Sequence, residues 1–141
     1  MNPATPTRLH HVVFCVHREN QDAAAAFWTD LGLGFEEIDL PDVGLRVLLD
    51  WHAGIEIISP TPGAGDEAAA FTAFLEDTGE GVYSVVVTAP DVAGPIGIAE
   101  RYGSRVLYQQ HRDDGGFSLD EAMLSPLHGM PITFLATDRP L

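Results

Sequence analysis

Lysine is absent from this chain of 141 residues, and cysteine occurs once. All seven basic side chains are arginine, set against 21 carboxylates, and the formal net charge is -14. A surface of that sign repels phosphate backbones, which argues against a nucleic-acid partner. It suits solubility and would also tolerate a cationic ligand. A lone Cys15 forms no internal disulfide and agrees with a reducing compartment. Long apolar runs are missing too. The longest, "AAAAFW", is far too short to span a bilayer, and "MNPATPTRLHH" has no signal-peptide layout. The expectation is a cytoplasmic protein with no membrane partner. Composition excludes disorder: 45% of residues are hydrophobic and 20% charged, enough for a real core in one domain over 1-141.

Periodicity supplies the elements. "LHHVVFCV" is rich in β-branched and aromatic residues and predicts a strand. "NQDAAAAFWTDLGLG" changes period: Ala24, Phe27, Trp28 and Leu31 share a helical face, Asn20 can cap the start, and Gly32 or Gly34 can stop it. "FEEIDL", "LRVLLDW" and "GIEIIS" predict three further strands, with turns at "PDVG" and at His52 to Gly54. A loop, "PTPGAGDE", and a helix, "EAAAFTAFLED", follow. The order then repeats as a strand "VYSVVVTA", a helix "PDVAGPIGIAERYG", and strands "SRVLYQQH", "FSLDEAMLS" and "MPITFLAT".

Internal repetition decides the architecture. "HVVFCV" from His11 matches "SVVVTA" from Ser84 at an offset of 73, and "DLG" ending at Gly32 matches "RYG" ending at Gly103 at 71. "IEIIS" around Glu56 matches "ITFLA" around Phe134 at 78. The chain therefore predicts two βαβββ modules, 8-60 and 80-138, joined by a linker helix within 61-79. One helix covers only one face of each small sheet, so the bare faces are expected to form a cup. Alternation places Val12, Phe14 and Val16 under the first helix and His11, Val13 and Cys15 towards the cup. Tyr83, Val85 and Val87 fall under the second helix, with Ser84, Val86 and Thr88 towards the cup. Glu56 and Ile58, and then Ile132, Phe134 and Ala136, are expected to face it from the last strand of each module.

His11 and Glu56, pointing into one cavity from neighbouring strands, make half of a metal site, since imidazole and carboxylate suit Zn, Fe, Ni or Co. From spacing alone the signal is weak, because a strand-end histidine is commonly a structural hydrogen-bonder. Glu56 is harder to dismiss: it lies among apolar residues, and a carboxylate so placed needs a partner.

"HHVVFCV", "FWTDLGLGFEE", "GLRVLLDWHAGIEIISP" and "FLEDTGEG" together resemble the vicinal oxygen chelate superfamily. It includes glyoxalase I, extradiol dioxygenases, methylmalonyl-CoA epimerase and the bleomycin resistance proteins, and the epimerase pattern is the nearest in order and spacing. The resemblance implies an α+β fold of paired βαβββ modules and a four-position metal site. His11 matches the first position and Glu56 the second. The family's histidine after "GEG" is replaced here, since "GEGVYSVVV" puts Tyr83 and Ser84 there. Phe134 is matched to the family's final glutamate, and Asp42 to its acid/base carboxylate. One half-site is kept and the other is lost.

With that ligand count no cofactor is expected, and a divalent metal on His11 and Glu56 is the less favoured alternative. His10, His52, His111 and His128 are taken as solvated loop or edge residues. The favoured reading is a metal-independent isomerase, epimerase, lyase or cyclase moving a proton next to a carbonyl, with His11, Glu56 and Asp42 as the catalytic set. Val13, Trp51, Val86 and Phe134 would supply apolar contacts to a small-molecule ligand. Ser84, Tyr108 and Gln110 would supply polar ones. The alternatives are a metal-free sequestering protein of the bleomycin-resistance kind, and a metal-dependent epimerase or glyoxalase. A homodimer is expected in each case, because an open edge strand is a liability.

Overall fold

The computed structural model describes residues 7–62 and 65–141. Residues 1–6 of "MNPATPTRLHH", and Gly63 and Ala64 of the predicted loop "PTPGAGDE", lie outside the described residues. The chain divides into two compact units, His11–Tyr83 and residues 7–10 with Ser84–Leu141. The division falls at Ser84, so the linker helix belongs to the first unit.

In the N-terminal module β1 (Leu9–Cys15) leads into α1 (Arg18–Asp30), followed by β2 (Glu36–Leu40), β3 (Leu45–Asp50) and β4 (Ile55–Pro60). The strands lie in the order β2-β3-β4-β1. β1 runs parallel to β4 with Val13 opposite Glu56, while β2, β3 and β4 are antiparallel neighbours. The linker helix is α2 (Asp66–Asp77). In the C-terminal module β5 (Gly81–Thr88), α3 (Ala93–Arg101), β6 (Val106–Asp114), β7 (Phe117–Leu124) and β8 (Ile132–Thr137) repeat the scheme. Their strand order is β5-β8-β7-β6, with β5 parallel to β8 and Val86 opposite Thr133. Both βαβββ modules and the α+β class are therefore present as expected.

The helix of the first module is held by a polar network. Gln21, with 0% of its surface exposed, donates from Nε2 to the carbonyls of Arg46 (2.9 Å) and Ile57 (3.0 Å). Its Oε1 accepts from Ser59 Oγ at 2.6 Å and from the Arg46 guanidinium at 3.1 Å. Arg46 also pairs with Asp22 on α1 and Glu37 on β2, each at 2.7 Å. The packed side of α1 is thus Gln21, Ala24, Ala25 and Trp28, at helical spacing. Phe27 and Leu31, expected on that side, are 60% and 64% exposed. Asn20 is not the cap. The helix begins at Arg18, and Asn20 instead donates its side-chain amide to Glu80, which also accepts the His17 backbone N–H, both at 2.9 Å. The helix stops after Asp30 with Leu31 as its C-cap, and of the two predicted stops it is Gly32 that follows, where φ of 108° suits a residue without Cβ.

In the C-terminal module the helix is held by apolar contacts. Val92 packs with Ala122 and Ala136, and Ile96 and Phe134 join them. Ile132 and Phe134 also line a cleft of about 280 Å³ with Pro95, Ile98 and Tyr102. Ile132, Phe134 and Ala136 therefore stand on the α3 side, not on the bare face where the repeat had placed them. The β5–β8 register explains the correction. Val86 faces Thr133, so Thr133 and Leu135 share the face of Ser84 and Val86. A shift of one residue in a strand exchanges its two faces. Tyr83 is not under α3 either: its ring packs on Phe71 and Phe74 of α2, at centroid distances of 4.4 and 5.2 Å.

Candidate active site

On β1 and β4 of the first module, His11, Val13, Cys15, Glu56 and Ile58 point away from α1, as alternation predicts. The parallel register sets Glu56 beside Val13 and within reach of His11. His11 Nε2 lies 3.9 Å from Glu56 Oε1, with 7% of the His11 side chain and 18% of the Glu56 side chain exposed. At that distance the two form an ion pair if the ring is protonated, and the contact is too long for a direct hydrogen bond. Between these two atoms the pair is thus a charge contact. Glu56 is the more accessible partner.

Cys15, farther along the same face, is fully buried, and its thiol reaches the Phe71 carbonyl at 3.9 Å. Burial, with the Glu80 carboxylate adding to it, pushes the thiol up to about 12, so Cys15 is a protonated core residue.

Asp42 is exposed in the turn between β2 and β3. The Leu45–Pro60 pair is four residues along the ladder from Leu49–Glu56, about 13 Å by strand rise, and Asp42 lies beyond it. The fold does not bring it to the His11–Glu56 pair. The carboxylate that shares the face and row of Glu56 is Glu36, across Leu49. Its sequence signal was the alternation Glu36, Ile38, Leu40 in β2. Trp51 is buried in the β3–β4 turn, and Val13 is buried in β1.

In the second module the positions equivalent to His11 and Glu56 are Ser84 and Thr133. Val13 opposite Glu56 corresponds to Val86 opposite Thr133, each two residues beyond His11 or Ser84. Ser84 Oγ and Thr133 Oγ1 are bonded to each other at 2.7 Å, and the two residues are 3% and 6% exposed. Val86 is buried beside them. On the same face farther out, Tyr108 OH donates to Gln110 Oε1 (3.2 Å), and Gln110 Nε2 donates to Glu121 Oε2 (3.3 Å). Tyr108 and Gln110 thus stand on the face predicted for them. Glu121 is not legible as a residue of that face in the sequence, because its place there depends on which residue of β8 it meets.

The remaining histidines stand apart. His52 and His128 are exposed in turns, and His111 is exposed on β6 with Asp120 at 2.7 Å. Asp120 raises the His111 pKa, through a hydrogen bond and then its charge. His10 is half-buried. Burial first, and then Arg8 and Arg139, lower its pKa.

The metal site of the resembling family finds no matching donor set. His11 and Glu56 supply two donors, and their counterparts are two neutral hydroxyls engaged with each other. Among the described residues no three His, Cys, Asp or Glu side chains converge in a way that could hold a metal ion. A catalytic first-row metal normally takes three protein ligands, so these residues do not fit one.

No family model matches the chain. No curated protein matches it either. Solved structures do match over nearly its whole length. A hypothetical protein from Bacillus halodurans superposes with a TM-score of 0.72 at 17% identity, covering 97% of this chain and 99% of that one. Methylmalonyl-CoA epimerase from Mycobacterium tuberculosis gives 0.67 at 22% identity, covering 96% and 92%. A mutant 4-hydroxymandelate synthase from Streptomyces coelicolor gives 0.72 at 15% identity, covering 96% of this chain and 50% of that longer one. The epimerase and the synthase are both vicinal oxygen chelate proteins. At these identities the likeness is one of architecture, and the architecture of this chain is the vicinal oxygen chelate fold.

Proposed function

We propose that this protein is a metal-independent enzyme that moves a proton next to a carbonyl in a small-molecule substrate, as an isomerase, epimerase or related lyase would. The observation that carries the reading is the His11–Glu56 contact on an apolar strand face, with Glu56 the more accessible member. The Glu56 carboxylate takes the α-proton. The electron pair left on carbon moves onto the carbonyl oxygen, and the protonated carboxyl returns the proton to carbon. His11 stands behind it as the charge partner, and an imidazolium there would favour the ionised carboxylate. No step calls for a metal, and the hydroxyl pair Ser84–Thr133 supports that part of the reading.

The test is exchange of α-protons in D₂O, followed by proton NMR over a panel of ketones and thioesters. Exchange lost in Glu56→Gln and His11→Ala is the expected result. No exchange with any substrate, while both variants bind ligand normally, overturns the enzyme. Stoichiometric Zn, Co, Ni or Fe in protein purified without chelator overturns metal independence.

A second reading, a protein that sequesters a cationic ligand, is favoured by the distribution of charge. Residues His11–Tyr83 hold fourteen carboxylates against two arginines, whereas the rest of the chain holds seven against five. Tight binding of cationic molecules without any exchange would select it.

A further inference from the structure

The two modules place different chemistry at one equivalent point. In the first, Val47 faces Ile58 across β3 and β4, two residues on from Glu56, and is buried. In the second, Glu121 faces Leu135 across β7 and β8, two residues on from Thr133. A carboxylate therefore stands where the sister module keeps a buried valine. Its surroundings are apolar on one side, with Leu135 beside it and Met123 next on the same face of β7. On the other side stands Gln110, its direct partner across the ladder.

Tyr108 OH occupies the Gln110 carbonyl oxygen, and this turns the Gln110 amide N–H towards Glu121 Oε2. Gln110 thus holds one carboxylate oxygen. Among the described residues the other, Oε1, has no hydrogen-bond or ion-pair partner. Arg112, the next side chain on that face of β6, forms no ion pair with it. The Ser84–Thr133 hydroxyls cannot take its place in recognition, because they are buried, bond to each other, and Ser84 Oγ also donates to the Pro131 carbonyl at 3.5 Å.

We infer that Glu121, aimed by Gln110 and Tyr108, is a specificity-determining residue that accepts a hydrogen bond from a donor group, hydroxyl or ammonium, on an otherwise apolar ligand. The inference concerns the C-terminal module alone and stands apart from the proton-transfer reading. The ligand class is an apolar body that carries one polar donor. A carboxylate that loses such a donor forfeits a charge-assisted bond, which corresponds to about tenfold or more in affinity.

Three ketones separate the cases: phenylacetone, 4-hydroxyphenylacetone and 4-(aminomethyl)phenylacetone. Binding is followed by ligand-observed NMR. The wild type is expected to bind one or both donor-bearing ketones at least about tenfold more tightly than phenylacetone. Glu121→Gln should collapse that preference by lowering the affinity for the donor-bearing ketones towards that for phenylacetone. Tyr108→Phe, a milder change, should reduce the preference without abolishing it. Thermal melts confirm that the variants are folded. A preference unchanged in Glu121→Gln, equal wild-type binding of all three ketones, or binding of none overturns the inference.

Discussion

The two modules share a strand order, a parallel first-to-last strand pair and a register, yet they carry opposite chemistry at the same rung. The first holds an imidazole and a carboxylate 3.9 Å apart. The second holds two hydroxyls bonded at 2.7 Å. The contrast extends to the helices. α1 is docked through buried Gln21 and the Ser59 hydroxyl, and α3 through Val92, Ile96 and Phe134. Repetition of a backbone fixes where side chains stand. It does not decide what they can do, and on this fold the chemistry lies in the side chains set on the repeat.

The contrast breaks most sharply in activity. His11→Ala and Glu56→Gln should each lower α-proton exchange by about a hundredfold or more, the range expected when a positioned acid/base group is lost. Ser84→Ala and Thr133→Val should change it only a few-fold at most. Comparable losses at both pairs would erase the distinction between the modules.

Helix docking gives the next largest effect. Gln21→Leu leaves the Ser59 hydroxyl and the carbonyls of Arg46 and Ile57 short of a buried partner, and should cost about 3 kcal/mol in urea denaturation. Ile96→Ala on α3 removes only partly buried apolar surface and should cost about 1–2 kcal/mol.

The hydroxyl pair itself should behave as a closed unit. Ser84→Ala strands a buried Thr133 hydroxyl and should cost about 1–2 kcal/mol, while the double variant Ser84→Ala with Thr133→Val should recover part of the loss. Additive losses in that cycle would show that the pair is not self-contained.

The smallest effects have opposite signs with pH. The Asn20 amide, then the His17 N–H, holds the Glu80 carboxyl below its ordinary value. Its contribution is present above 4.5 and is lost as pH falls through the lowered folded value. Asp120 holds the His111 pKa above 6.5, so that contribution is present below 6.5 and is lost as pH rises through the raised value. Melting temperature should therefore lose part of its acid-side fall in Glu80→Gln and part of its alkaline-side fall in His111→Gln. A variant that steepens its own limb would reverse the assignment.

Legibility in the sequence followed the range of the interaction. The strand "HHVVFCV" and its repeat "YSVVVTA" were readable from period-2 alternation, as was the face carrying His11 and Glu56. The helix stop at Gly32 was readable because a left-handed residue is a local demand. Asn20 looked like a cap because its residue type suits one, but its partner is Glu80, sixty residues away. The burial of Gln21 is not legible in its residue type, although it lies at helical spacing with Ala24, Ala25 and Trp28. Whether a buried amide is tolerated depends on Ser59 and on two carbonyls from other strands. Asp42 was placed by alignment near the site, and the hairpin carries it to the far end.

The sequence by itself determined the modules, the fold and the strand face that carries His11 and Glu56, because alternation and repetition are written in neighbouring residues. Only the tertiary structure decided that Thr133, and not Phe134, stands beside Ser84, and that Glu121 shares their face. Both depend on the pairing of β8 with its neighbours. A strand's own pattern cannot fix that pairing when both of its faces meet apolar surroundings.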